Sequence, residues 1–178
     1  TSDYLKSIEE TLASRRGMEW AKAVEGNIFG QYGMKAISGL DQFATGIASN
    51  FTDADYIPTT TSQFASQKVS YDLRDTSLPM WYNFKEGEWE DKILGRSLGQ
   101  IGGDLIETSA NMGPSILASA VVSAVASPVA GQIVGASLMG GSARGNAYSE
   151  MLNQGYSKGQ ANTYANLVGI SEAGLQYA

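Results

Sequence analysis

Large apolar side chains recur every three or four positions through the first fifty residues, with one longer gap around Ala36, and this is the spacing of one helix face. They are Trp20, Val24, Ile28, Tyr32, Leu40, Phe43, Ile47 and Phe51. Six glycines interrupt the same stretch, and each costs a helix interior about 1 kcal/mol relative to Ala. Close packing against another helix would explain them. We therefore predict a Gly-rich amphipathic helical region over residues 1–50. If this helix is broken, we expect the break near Gly17 or Gly39.

Residues 51–79 are rich in Thr, Ser and Asp and contain Pro58 and Pro79, a composition typical of a long connection. An aromatic cluster follows, containing Trp81, Tyr82, Phe84 and Trp89. Two interpretations stay open for it. The aromatic side chains either anchor the connection onto the helices or lie at an interface beside a membrane segment. We predict a polar loop with an aromatic cluster over residues 51–87, with Trp81, Tyr82 and Trp89 as interface aromatics.

A further helix is predicted over residues 88–111, with a break at 111–115 and a new helix beginning near Pro114. No charged side chain occurs from 108 to 143. Pro128 divides the middle of this stretch, residues 115–139, into two pieces, each shorter than the roughly 20 residues that cross a bilayer. Small residues spaced by four positions favour close helix packing. They are Ser119 and Ser123 before the proline and Gly131 and Gly135 after it.

Residues 112–141 are thus predicted to form an uncharged helical hairpin, either buried in a bundle or held ready to insert into a membrane. After it, one helix should end at Gly155, and Ser157 with Gln160 forms a capping box for the next. Gly169 should end that helix, with a third one capped at Ser171. The predicted fold is all-α: a Gly/Ala-rich bundle of about six or seven helices with a long polar loop, the bundle proper covering 88–178.

Composition excludes several kinds of chemistry. The 178 residues contain no Cys and no His, so neither a thiol nucleophile nor an imidazole base is available. The net charge of −6 argues against sequence-specific nucleic-acid binding, because phosphate contacts need clustered Lys and Arg. A third, weaker hypothesis makes Glu172 the single carboxylate of a cell-wall hydrolase, but an acid in the first turn of a helix explains this residue adequately. We predict no catalytic, cofactor-binding or metal residue, no cofactor, and no enzymatic activity.

The stretch from Ser109 to Ala178, about 40% of the chain, carries a resemblance in four of its segments. They are residues 112–116 (MGPSI), 135–148 (GASLMGGSARGNAY), 155–165 (GYSKGQANTYA) and 169–175 (GISEAGL). This part resembles long virion or mobile-element proteins of Gram-positive phages, of the tape-measure or internal ejection type. The resemblance implies a structural protein inside the virion or its tail. It implies a homo-oligomer that contacts other virion proteins and reaches the host membrane and cell envelope during genome delivery.

A second hypothesis belongs to another class of protein. The same helices would suit a soluble adaptor or targeting domain of a larger multi-domain toxin or enzyme. The first residue is not Met, and the last residues stop within a helical pattern. We therefore expect the chain to be a piece of a longer protein. An adaptor should be monomeric and should not bind lipid, whereas a tape-measure or ejection protein should self-associate and bind membranes.

Overall fold

The computed structural model describes residues 2–52, 56–74, 81–83, 88–90, 92–93 and 96–175. The predicted all-α bundle is confirmed, and the described residues contain six helices and two short β-hairpins. The helices are α1 (Ser2–Ala23), α2 (Ile28–Ser49), α3 (Thr61–Leu73), α4 (Leu98–Val125), α5 (Pro128–Asn153) and α6 (Lys158–Leu175). Strand β1 (Trp81–Asn83) pairs antiparallel with β2 (Glu88–Glu90), and β3 (Lys92–Ile93) with β4 (Arg96–Ser97).

The first fifty residues form two helices whose break lies at neither predicted glycine. It lies between Ala23 and Ile28, where Gly26 adopts a φ of 74°. Glycine reaches this left-handed conformation without the steric cost that a Cβ would add. Gly17 instead lies inside α1, where an added Cβ would be 2.6 Å from Cβ of Phe64. It is thus a point of close approach to α3.

The prediction of an uninterrupted polar loop over 51–87 is wrong, because helix α3 lies within it. Thr60 caps this helix: its hydroxyl accepts from the Gln63 N–H at 3.4 Å, and the Gln63 side chain accepts from the Thr60 N–H at 3.1 Å. Buried residues then follow at intervals of four, at Ala65, Val69 and Leu73. The many Thr, Ser and Asp residues of this segment made the short apolar row difficult to recognise in the sequence.

Helix α4 begins at Leu98, not at residue 88, and it continues through Pro114. The residues before it form β2, β3 and β4, and the alternation of Glu88, Trp89 and Glu90 is the two-residue period of a strand. The predicted break at 111–115 is also wrong. Gly113 lacks the Cβ that clashes with the ring of a following proline, so it can stay helical where other residues are disfavoured.

The C-terminal part forms two long helices where three shorter ones were predicted for 142–178. Gly155 adopts a φ of 86° after α5, and Ser157 and Gln160 form the start of α6, with the Ser157 N–H donating to the Gln160 side chain at 3.2 Å. Helix α6 continues past Gly169 to Leu175, so the predicted start at Ser171 is wrong. An added Cβ at Gly169 would lie 2.8 Å from the Gly140 carbonyl oxygen. This glycine allows α6 to approach α5.

The chain divides into two compact units that do not follow the predicted boundaries. Unit 1 comprises Thr1–Gly39 and Thr59–Ala110, and unit 2 comprises Leu40–Pro58 and Asn111–Ala178. Helices α2 and α4 each contribute residues to both units. The predicted boundaries at residues 50 and 87 divide the chain into consecutive segments, so they cannot describe units of this kind.

The core of unit 1 consists of Ala21, Val69 and Leu73, with Val24, Ile28, Tyr32 and Met34 packed against it. The core of unit 2 consists of Ala147, Tyr148, Leu152, Ala161 and Ala165, with Ile57, Met151 and Val168 packed against it.

Candidate assembly surface

The hairpin formed by α4 and α5 in unit 2 is held by very close helix contact. A Cβ added at Gly131 would lie 1.8 Å from Oγ of Ser123 and 2.4 Å from the Ser119 carbonyl oxygen. A Cβ added at Gly135 would lie 2.9 Å from Cβ of Ser119. The structure therefore brings together the four residues predicted to pack helices. We call this line of contact the seam of the hairpin.

The turn between the two helices is built from local hydrogen bonds. Ser127 is the N-cap of α5, and its hydroxyl accepts from the Ala130 N–H at 3.1 Å. Pro128 follows in the first turn, where its missing N–H costs nothing because that donor would have no partner in the helix. Val125 ends α4 only three residues earlier. This short connection makes α4 and α5 antiparallel neighbours.

The sides of the hairpin that face away from the seam are apolar and exposed to water. Leu117, Val121 and Val125 form one row on α4, and Val129 and Ile133 form the other on α5. Leu117 is 68% exposed and Val125 is 80% exposed. Each row is offset by two positions from a seam residue, which is about 200° around a helix. These two outer rows therefore lie on opposite edges of the hairpin.

Burial within this chain does not explain why the segment lacks charged side chains, because both outer rows are exposed to water. Contiguous exposed apolar surface on a protein marks a site of interaction. None of the helices in the described residues combines the length and the apolar character that a membrane crossing requires. The sequence-based alternative of a fully buried hairpin is therefore wrong for these rows, and the membrane alternative stays a prediction.

The three predicted interface aromatics lie in the first β-hairpin of unit 1. Trp81 pairs with Glu90 and Tyr82 pairs with Trp89 across β1 and β2. This register places Tyr82 and Trp89 directly opposite each other. The structure describes only the backbone at these positions, and Phe84 lies outside the described residues. Their role at an interface stays a prediction.

Unit 1 contains a buried ionic network that the sequence analysis did not find. The side chain of Lys35 is 3% exposed, and its ammonium group donates to Glu107 at 2.8 Å and to Asp104 at 3.3 Å. Arg96 also pairs with Asp104, at 2.5 Å. Lys35 occupies the gap in the apolar row of α2 between Tyr32 and Leu40. This gap is the sequence feature from which a polar side chain on the apolar face of α2 could have been predicted.

Glu107 is the carboxylate at the centre of this network. Its second oxygen accepts from Ser38 at 2.5 Å and from Ser66 at 2.8 Å. Burial by itself would raise the pKa of Glu107, but the hydrogen bonds from Lys35, Ser38 and Ser66 together hold that pKa below its usual range. A carboxylate that stays ionised at neutral pH is a poor proton donor, so this geometry suits a structural anchor between α2, α3 and α4.

A second polar network lies in unit 2 around Arg144 of α5. Its guanidinium donates to Asn166 at 2.7 Å and to Asn162 at 3.0 Å, both on α6, and also to Asn50. Asn50 in turn donates to the Gly141 carbonyl oxygen at 2.8 Å. These amide groups carry no charge, so they orient the guanidinium without neutralising it. The network ties the end of α2 to α5 and α6.

Glu172 does not stand where the sequence suggested. It lies in the last turn of α6, where the helix dipole disfavours an acid, so its assignment as a capping acid is wrong. Within the described residues no cluster of three or more Asp and Glu side chains is arranged to hold a metal ion.

Comparisons with protein-family models, with curated proteins and with solved structures found no match to this chain.

Proposed function

We propose that this chain is a structural protein of a phage particle, of the tape-measure or internal ejection type, which assembles with copies of itself through the α4–α5 hairpin. The observation that carries the proposal is the pair of exposed apolar outer rows on opposite edges of that hairpin. The resemblance of the C-terminal part to long virion proteins supplies the biological setting.

The two outer rows give each hairpin two places to contact a neighbour. If the row on α4 of one copy packs against the row on α5 of the next, the contact is heterologous. Contacts of this kind generate rings when they close and filaments when they do not. No charged side chain occurs between residues 108 and 143, so such packing would not require a charge to lose its water. Both a ring and a filament are suited to the inside of a phage tail or core.

The proposal includes a second step, in which segment 112–141 inserts into the host membrane during genome delivery. The outer rows that contact neighbouring copies in the particle would contact acyl chains after release. The segment would enter as a paired hairpin held at the seam, with its apolar rows buried at the boundary between headgroups and acyl chains. This step is tested separately from assembly.

Assembly is tested by sedimentation velocity over a range of protein concentrations. We expect the chain to form an oligomer and the double variant Val121→Asp/Ile133→Asp to be monomeric, because each change places a charge in an outer row. Leu105→Asp is the matched control: Leu105 is 63% exposed and Val121 is 61% exposed, but Leu105 lies in unit 1. A chain that is monomeric at all concentrations, or a control that dissociates equally, would overturn the proposal.

Membrane insertion is tested by flotation with phospholipid vesicles. We expect the chain to float and the double variant to remain in the dense fraction, with Leu105→Asp behaving like the unchanged chain. An oligomer that never floats would remove the insertion step and leave a purely structural role. A monomer that never floats would remove both steps and would favour the soluble adaptor.

A further inference from the structure

The guanidinium group of Arg144 in unit 2 carries a charge that the fold does not neutralise. None of the ion pairs in the described part of the chain involves Arg144. Arg144 and Asn162 are half-buried and Asn166 is exposed, so a ligand can reach the group from the solvent. Withdrawing a charge from water without a partner of opposite sign is costly. An anion bound beside Arg144 would remove part of this cost.

Amide oxygens hold Arg144 in one orientation. Its Nε donates to Asn166 at 2.7 Å, and one of its terminal nitrogens donates to Asn162 at 3.0 Å. The other terminal nitrogen donates to Asn50, whose own amide group is fixed by donation to the Gly141 carbonyl oxygen at 2.8 Å. A group that is already fixed in place loses little conformational entropy when a ligand binds to it.

Several N–H donors around this charge have no acceptor in the fold. A guanidinium has five N–H groups, and the three bonds to amide oxygens leave two of them free to donate. Each amide that gives its oxygen to Arg144 also has an NH2 group next to that oxygen. Within the described residues, the NH2 groups of Asn162 and Asn166 donate to no other group. The site therefore presents donors and a positive charge.

The arrangement of these donors selects a tetrahedral oxyanion. A guanidinium matches both carboxylates and phosphates, but a carboxylate has only two oxygens, which lie in one plane. A phosphate group has three strong acceptor oxygens that point in different directions. It can therefore accept from the guanidinium and from both amides at the same time. The net charge of −6 disfavours anions elsewhere on the chain.

We propose that Arg144, Asn162 and Asn166 form a binding site for one phosphate group, either free phosphate or a phosphate monoester such as the exposed end of a lipid headgroup. The remaining guanidinium N–H groups and the two amide NH2 groups donate to the phosphate oxygens, while Asn50 keeps Arg144 in place. The site does not depend on the proposed assembly role, and it would bind its ligand in a monomer as well.

NMR titration of the full chain with inorganic phosphate tests this site. The readout is the signals of the Arg144 Nε–H and of the side-chain amides of Asn162 and Asn166, and chloride at the same ionic strength is the reference. We expect saturable shifts with a dissociation constant on the order of 1 mM, which a few charge-assisted hydrogen bonds provide. Acetate should bind at least about tenfold more weakly, because its two oxygens cannot reach all three groups.

Asn162→Asp is the most informative variant, because it places a carboxylate of the same size as the amide against Arg144. We expect this variant to melt no lower than the unchanged chain and to bind phosphate at least about tenfold more weakly. The matched control is Thr163→Asp, which adds the same charge at an exposed position one residue later on α6. Its phosphate affinity should stay within about twofold, because salt screens an exposed charge.

Glycerol phosphate, titrated in parallel, identifies the source of the phosphate group. Binding as tight as that of inorganic phosphate would assign the site to phosphate monoesters, and weaker binding would assign it to free phosphate. Three outcomes would overturn the proposal: no more shift with phosphate than with chloride, equal binding of acetate, or equal weakening by Asn162→Asp and Thr163→Asp. Repeating the titration in the Val121→Asp/Ile133→Asp background separates this site from assembly.

Discussion

At the scale of single residues, Gly131 lies where any side chain would enter the opposite helix of the hairpin. We predict that Gly131→Ala lowers the free energy of unfolding by about 1–3 kcal/mol, the usual cost of overpacking. Urea denaturation followed by circular dichroism measures this change. Gly33→Ala in α2 is the contrasting variant, because an added Cβ there meets nothing within 4 Å.

The two glycine variants are predicted to change the free energy of unfolding in opposite directions. Gly33→Ala should raise the free energy of unfolding by about 0.5–1 kcal/mol, because alanine loses less conformational freedom in a helix than glycine does. If both variants were equally stabilising, α4 and α5 would not approach each other at Gly131 as closely as the structure shows.

The contribution of Glu107 to the free energy of unfolding depends on pH. Its pKa is lowered in the folded chain, so its contribution to stability is present at neutral pH and is lost as the pH falls through and below the ordinary glutamate range. We predict that Glu107→Gln lowers the free energy of unfolding at pH 7 by about 1–3 kcal/mol. The difference between variant and unchanged chain should narrow as the pH falls.

Denaturation at several pH values measures this effect. Glu19→Gln on the exposed side of α1 is the control, and its stability should follow that of the unchanged chain. A difference between Glu107→Gln and the unchanged chain that stays constant from neutral to acid pH would contradict the role assigned to the ionised carboxylate.

At the scale of elements, α3 depends on its capping box and in turn supplies most of the buried apolar side chains of unit 1. We predict that Thr60→Ala lowers the free energy of unfolding by about 0.5–2 kcal/mol, the usual cost of losing an N-cap. Hydrogen exchange of the Val69 and Leu73 amides should become faster by the corresponding factor. Thr59→Ala removes a hydroxyl one residue earlier, outside the capping box, and should change little.

The helices and their caps show where local patterns were informative and where they were not. The capping box of Ser157 and Gln160 was predicted and is present, because such a box involves only four consecutive residues. The box of Thr60 and Gln63 follows the same pattern, but the Thr, Ser and Asp residues around it are typical of a loop. Gly169 resembled a helix end, yet α6 continues through it, because Gly140 and Arg144 of α5 lie against it. Such a contact is not visible in the local sequence.

At the scale of the whole molecule, unit 2 is assembled from two separate stretches of chain. The backbone of Gly46 in α2 packs against α5: an added Cβ at Gly145 would lie 1.6 Å from the Gly46 carbonyl oxygen. The Ser49 and Ser149 hydroxyls bond at 2.9 Å. We predict that a fragment of residues 111–178 unfolds without a cooperative transition, and that a peptide of residues 40–58 restores one.

Thermal melts followed by circular dichroism measure the cooperativity. The same peptide carrying Gly46→Val is the control, because an added Cβ at Gly46 would lie 2.5 Å from the Ser142 carbonyl oxygen. It should not restore folding. Cooperative unfolding of the fragment alone would contradict the assignment of residues 40–58 to unit 2.

The sequence by itself determined the features that depend on neighbouring residues: the all-α class, the uncharged hairpin with its turn at Pro128, and the small residues that face each other across it. Only the tertiary structure decided the features that depend on distant residues. Lys35 is buried because Glu107, 72 positions later, compensates its charge. The outer rows are exposed because no other element of unit 2 covers them in the described residues. Periodicity tells which residues share a helix face, but what packs against that face depends on the folding of the whole chain.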